Sequence, residues 1–149
     1  MKRVVITINR QYGSGGKTIG YMLAEKLGIP CYSREILQRA SEESGINESM
    51  FNARDERLKR LPKFLLSTNV YSGELLPPES KEFTSDQNLF NYEAEIIKKY
   101  AAEGSCVLIG RCADFVLKDD PDMISVYVHA DHDFQMKSAL ERVSMSEKE

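Results

Sequence analysis

A β-branched run that breaks into a glycine-rich turn and reopens as a helical pattern is compatible with few folds. Here Val4-Val5-Ile6-Thr7-Ile8 is followed by Gly13-Ser14-Gly15-Gly16-Lys17-Thr18, after which Ile19, Met22, Leu23 and Leu27 recur at helical spacing up to Gly28. The first run is nearly all apolar, as suits a strand covered on both faces of a parallel sheet. Gly28 closes the second pattern where a helix C-terminal glycine is expected. The segment therefore predicts strand, loop and helix in that order.

A helix N-terminus presents unpaired N–H groups and partial positive charge. Glycines before it let consecutive N–H groups turn inward around an anion, which Cβ atoms would obstruct. Gly13, Ser14, Gly15, Gly16, Lys17 and Thr18 are thus expected to hold the phosphates of a nucleotide such as ATP. Lys17 would reach the terminal phosphates, and the Thr18 hydroxyl would ligate Mg²⁺. The usual phosphate-loop pattern, Gly, four residues, Gly-Lys-Ser/Thr, puts its first glycine at position 11, which is Gln11. A dinucleotide loop is the competing reading. Gly13-x-Gly15 begins that fingerprint, but its third glycine would fall at Thr18, and Glu35, at the distance of a ribose-binding acid, lies past the predicted strand end. Lys17-Thr18 favours the phosphate loop over it.

Downstream, Ile29 to Tyr32 reads as a second strand, and Ser33 could cap a helix from Arg34 to about Ser44. Residues 45–85 are irregular, with a charged helical stretch from Asp55 to Arg60 and a Pro/Ser/Glu-rich run containing Pro77-Pro78. They are expected to form an insertion of short helices and a mobile loop. Arg54, Arg57 and Arg60 have helical spacing and read as a solvated charged face. Asp86 is placed to cap a helix whose Leu89, Glu93, Ile96, Ile97 and Tyr100 share one side. Ser105 to Ile109 is a strand, Arg111 to Lys118 a short helix and Met123 to His129 a strand. A helix follows from Asp131 to about Val143, and Ser146 to Glu149 has the capping-box spacing of another. Strands alternating with helices predict a single α/β domain over 1–149, with a parallel sheet covered by helices on both faces. Such sheets bind ligands beyond the carboxyl ends of their strands.

Several function classes are excluded. A composition of 42% hydrophobic and 29% charged residues is that of a folded chain, and a net charge of −3 argues against nucleic-acid or membrane partners. Cys31, Cys106 and Cys112 lack the close pairing of a zinc site, and His129 and His132 have no cysteine beside them. The run from Val4 to Ile8 is too short for a signal peptide core or membrane span, so a cytoplasmic protein with reduced thiols is expected.

Two blocks carry a family resemblance. Asn9-Arg10-Gln11-Tyr12-Gly13-Ser14-Gly15-Gly16-Lys17-Thr18 resembles the opening of the cytidylate kinase-like proteins, relatives of the nucleoside monophosphate kinases. Val107-Leu108-Ile109-Gly110-Arg111-Cys112-Ala113-Asp114, followed by Ile124 to Asp131, resembles their second block. The resemblance implies a P-loop sheet of strand order 2-3-1-4 and transfer of the ATP γ-phosphoryl group, with Mg²⁺, to a nucleoside monophosphate such as CMP or dCMP. It implies that Gly110 and Arg111 face the acceptor, with the Arg111 guanidinium forking its phosphate, and that 45–85 is the monophosphate-binding insertion. Glu35 is the nearest acid on the acceptor side, because Ser33 stands where relatives often carry aspartate. Ile109 and Cys112 also replace aspartates, which leaves Asp114 or Asp131 to support the metal. The family's lid arginines, fifth strand and last helix are expected beyond Glu149. Catalytic impairment, a non-nucleotide acceptor and a homodimer through an open sheet edge are the accompanying alternatives.

Overall fold

The first strand, β1 (Val5–Arg10), is flanked on both sides by strands that follow it late in the chain. The computed structural model describes residues 2–60 and 73–146. Within it β1 pairs in parallel with β3 (Cys106–Ile109), from Val5 opposite Cys106 to Ile8 opposite Ile109. On its other side it pairs in parallel with β4 (Met123–Val128), from Val5 opposite Met123 to Arg10 opposite Val128. The short β2 (Cys31–Tyr32) joins β3, giving the order β2-β3-β1-β4 expected of a P-loop sheet. Val5 to Ile8 and all of β3 are buried, as their apolar runs require. β4 forms an edge of this sheet, and Ile124 and Tyr127 are exposed on it.

Helix α1 (Gly16–Leu27) lies against this sheet through a face that apolar spacing does not reveal. Its buried residues are Gly16, Gly20 and Ala24, whereas Ile19, Met22 and Leu27 are exposed. The helix approaches closely because those positions carry little or no side chain. A Cβ on Gly20 would lie 2.7 Å from Ile109 Cδ1 and 3.1 Å from Ile8 Cδ1. Ala24 completes a core with Ile6, Ile8, Val107 and Ile109.

Contacts divide the chain into two compact units, residues 1–33 with 100–149, and residues 34–99. The second unit contains α2 (Glu35–Ser44) and α3 (Glu48–Arg60), which pack together, and most of α4 (Asp86–Glu103). Ile36, Leu37, Phe51, Leu89 and Ile96 are among its buried residues. Arg54 departs from the solvated face expected for the arginines of α3. It is buried, and its Nη2 donates to Glu93 Oε1 and Oε2 at 3.0 and 2.9 Å and to Asp55 Oδ1 at 2.8 Å. Burial works against its charge, but Glu93 and Asp55 outweigh that effect and raise the Arg54 pKa above its ordinary value.

The Pro/Ser-rich run, expected to be mobile, is tied to α4 in its described part. Asn88 Oδ1 accepts from Leu76 N at 2.9 Å, Asn88 Nδ2 donates to Phe83 O at 2.7 Å, and Asn91 Nδ2 donates to Glu74 O at 2.6 Å. The remainder of the expected loop, 61–72, lies outside the described residues, as does most of the capping-box segment at 147–149. Helix starts also shift. Ser85 rather than Asp86 caps α4, its Oγ accepting from Asn88 N at 3.2 Å. The helix expected from Arg111 to Lys118 contracts to one turn, α5 (Ala113–Val116), because Arg111 and Cys112 are left-handed. Asp131 caps α6 (His132–Ser146) through Phe134 N at 2.8 Å.

At the amino end of β1, Arg3 bonds Asp120 through Nη1 and Nη2 at 3.1 and 2.5 Å, Asp122 at 3.2 Å and the Ala101 carbonyl at 2.9 Å. The Arg3 hydrogen bond holds the Asp120 carboxyl below its usual pKa. A depressed carboxylate contributes stability above its unfolded pKa of about 3.9 and loses it as pH falls through the lower folded value. Arg3→Ala should therefore cost about 1 kcal/mol at pH 7 and flatten the loss of stability below about pH 4. Urea unfolding midpoints measured from pH 7 to pH 3 check both.

Candidate functional site

Beyond the carboxyl end of β1 the chain turns through a loop braced from its far side. Gln11, which occupies the position expected to be glycine, acts as a strut. Its side-chain Oε1 accepts from Gln135 Nε2 of α6 at 2.8 Å, while its carbonyl accepts from Ser14 N at 3.2 Å and Ser14 Oγ at 2.7 Å. Ser14 is buried, and its hydroxyl is spent on this turn. Gly13 is left-handed at φ 77°, and a Cβ there would lie 2.5 Å from the Gln135 carbonyl oxygen. Gly15 is also left-handed, at φ 81°, and a Cβ there would meet nothing within 4 Å. The two glycines thus do different work: one fits against protein, the other borders open space.

Gly15 precedes the first turn of α1, where no side chain caps the helix and no acidic residue stands. The Ile19 amide bonds the Gly15 carbonyl at 3.0 Å, so the amides of Gly16, Lys17 and Thr18 have no partner within the helix. Three uncapped amides and a positive helix end facing open space suit an anion. Lys17 and Thr18 are exposed on this turn, and the Lys17 ammonium stands 5.9 Å from the centre of the Tyr21 ring, one turn further along.

The second block lies at the carboxyl end of the neighbouring strand. Gly110 follows β3 directly, its amide bonded to the Ile8 carbonyl at 2.9 Å. Gly110, Arg111 and Cys112 are consecutively left-handed, at φ 73°, 59° and 54°. Each non-glycine residue in that region costs roughly 1–2 kcal/mol, and two in a row concentrate strain where the backbone leaves the sheet toward a site. Asp114 is half-buried in the first turn of α5. The loop and the Gly110-Arg111 block therefore share one unit and one end of its sheet. Glu35 belongs to the other unit, half-buried at the start of α2.

One residue escaped the sequence reading. Arg10 ends β1, and its side chain passes both Gly16 and Gly110. Arg10 is exposed as a residue, yet desolvation of its guanidinium, then the like charges of Arg111 and Arg142, hold its pKa below the ordinary arginine value. The available signal was its place as the last residue of the strand feeding the loop.

The metal question turns on donor type. Thr18 and Asp114 offer hard oxygens of the kind Mg²⁺ takes one or two of, completing its shell with water and substrate phosphates. Among the described residues no group of three or more His, Cys, Asp or Glu side chains could hold a metal ion without such help. Thr18 and Asp114 thus have the donor chemistry that suits Mg²⁺. No helix among the described residues is long and apolar enough to cross a membrane.

The model of the cytidylate kinase-like family matches residues 5–149, nearly the whole chain and both blocks. The chain belongs to the cytidylate kinase-like family. A solved structure resembles this family member along most of its length: the crystal structure of an uncharacterized protein from Eubacterium ventriosum, 26% identical, with a TM-score of 0.61. The similarity covers 95% of the present chain and 63% of that one, so this family member spans less than two thirds of its neighbour's length. None of the curated proteins compared matches it. Membership supports nucleotide kinase chemistry in general terms.

Proposed function

We propose that the chain is a cytoplasmic P-loop kinase that transfers the γ-phosphoryl group of ATP to a nucleoside monophosphate of the CMP or dCMP type. The observation that carries this reading is the uncapped, acid-free start of α1 beside the Gly110-Arg111 turn on the adjacent strand, in a chain of this family. The amides of Gly15 to Thr18 and the Lys17 ammonium hold the donor phosphates. The Arg111 guanidinium holds the acceptor phosphate in a fork and orients it toward the γ-phosphorus. An ionised acceptor oxygen forms the new P–O bond as the bond to the β-phosphate bridging oxygen breaks, and ADP leaves. No general base is needed, because that oxygen carries no proton to remove. Mg²⁺, held by Thr18 and Asp114 together with the phosphates, would neutralise charge on the transferred group. Glu35 and the 45–85 insertion enter this reading through the family resemblance alone, as the acceptor-side acid and the monophosphate-binding segment.

A second reading is favoured by Ile109 and Cys112, which put a buried aliphatic and a thiol where acids would support the metal. It is a nucleotide-binding protein without transfer activity. Incubation with ATP, Mg²⁺ and a panel of nucleoside monophosphates separates the two. ADP release above the no-acceptor rate with CMP or dCMP is the expected result. Release with a non-nucleotide phosphate acceptor alone would reassign the substrate. ATP binding without release for any acceptor would establish the second reading.

A further inference from the structure

Strand alternation puts Arg10 on the same face of β1 as Ile6 and Ile8, the face that packs against α1. Its stem runs beneath the start of that helix. A Cβ on Gly16 would lie 2.5 Å from Arg10 Cβ and 3.0 Å from Arg10 Cγ. Its head crosses to the next strand, where a Cβ on Gly110 would collide with Arg10 Nη1. The two glycines that flank the site, one in each block, thus leave the passage the Arg10 side chain occupies.

Among the described residues no hydrogen bond or ion pair holds the Arg10 guanidinium, and the charges that reach it are those of Arg111 and Arg142. The like charges that reach Arg10 disfavour its charged form, whereas an anion beside it would reverse the sign of the interaction. Lys17, the cation the motif points to, has its ammonium over the Tyr21 ring.

We propose that Arg10 is the principal side-chain cation for the phosphate chain of the bound nucleoside triphosphate, with Lys17 secondary to it. The position follows from the passage: the stem runs under Gly16, the first residue of α1, and carries the guanidinium to Gly110, at the same end of the sheet as the uncapped amides of that helix. Its planar fork can bind two phosphate oxygens through parallel N–H bonds, a fixed geometry that an ammonium does not impose. Gly16 is then glycine because any side chain would displace Arg10. The proposal rests on the kinase reading above, and it assigns Arg10 to the donor rather than the acceptor.

Calorimetric binding of ATP, inorganic tripolyphosphate and CMP to the parent chain, Arg10→Met, Arg10→Lys and Lys17→Ala tests it, with unfolding midpoints measured alongside. Arg10→Met should weaken ATP and tripolyphosphate roughly ten- to hundredfold, more than Lys17→Ala does, and leave CMP within about twofold. Arg10→Lys should recover part of the loss. Because Arg10→Met also relieves like-charge repulsion, its unfolding midpoint should stay level or rise, which separates lost binding from lost folding. Unchanged ATP affinity in Arg10→Met, or a loss confined to CMP, would overturn the proposal and leave the kinase reading standing. A parent chain that binds neither ATP nor tripolyphosphate would overturn both.

Discussion

Arg54→Ala should lower the stability of the 34–99 unit by about 3–5 kcal/mol, enough to remove much of the margin by which a domain stays folded. The reason lies in what remains. Glu93 is fully buried, and its two carboxylate oxygens both accept from a single Arg54 nitrogen, Nη2, which also bonds Asp55. Removing the guanidinium takes a counter-charge from that buried carboxylate, which raises the cost of keeping it ionised. The pair itself is not an efficient source of stability. Arg54 Nε and Nη1 are buried and have no hydrogen-bond partner among the described residues. Arg54→Met combined with Glu93→Met should therefore recover most of the loss, because neither charge is then desolvated. Urea unfolding of the parent, single and double variants gives the coupling energy directly. A double variant no more stable than Arg54→Ala would show that the pair's geometry, rather than its uncompensated charge, dominates.

Gly13→Ala and Gly15→Ala should fail in different ways, although both glycines have nearly the same backbone angle. Each alanine incurs the left-handed cost of roughly 1–2 kcal/mol. At Gly13 the methyl group would also lie 2.5 Å from the Gln135 carbonyl oxygen, a backbone atom at the start of α6 that cannot swing aside. That overlap adds roughly 1–3 kcal/mol and pushes the loop off its brace. At Gly15 the methyl group meets nothing within 4 Å and projects into the space in front of the α1 amides. Gly13→Ala is thus expected to lower the thermal midpoint by several degrees more than Gly15→Ala. Gly15→Ala should weaken tripolyphosphate binding by at least about tenfold while the fold survives. Equal midpoints for the two variants would refute the steric assignment at Gly13.

Parts of this architecture governed by local rules were readable from the sequence. β1 and β3 announce themselves because strands buried on both faces need unbroken apolar runs, and the strand order follows from the family the two blocks indicate. Helix faces were less legible. Ile19, Met22 and Leu27 keep helical spacing but stay exposed, because close approach to the sheet selects Gly16, Gly20 and Ala24, which hydrophobicity does not flag. Arg54 and Glu93 lie 39 residues apart, and neither carries a local sign of burial. Asn88 and Asn91 look like ordinary helix-surface residues until the chain at 74–83 is laid on them. Around the candidate site the glycines were legible, since positive φ leaves a compositional trace. Gln11 looked like a defect in a motif and is a strut instead. Arg10 was invisible because its neighbourhood is assembled from two strand ends and a helix start about a hundred residues apart in sequence.

The position of β1 between β3 and β4 also fixes a schedule. Its partners, beginning at Cys106 and Met123, are made about a hundred residues after Val5. At translation rates of about 5–20 residues per second, the first strand emerges and then waits on the order of 5–20 s for anything to pair with. Residues 34–99 are contiguous and come out in the interval, so they can condense first. Until the last third of the chain arrives, Val4 to Ile8 is an apolar β-branched segment with both edges and both faces unsatisfied. The strand that later feeds the Gly13–Thr18 loop is, during synthesis, an apolar segment whose partners have yet to be made.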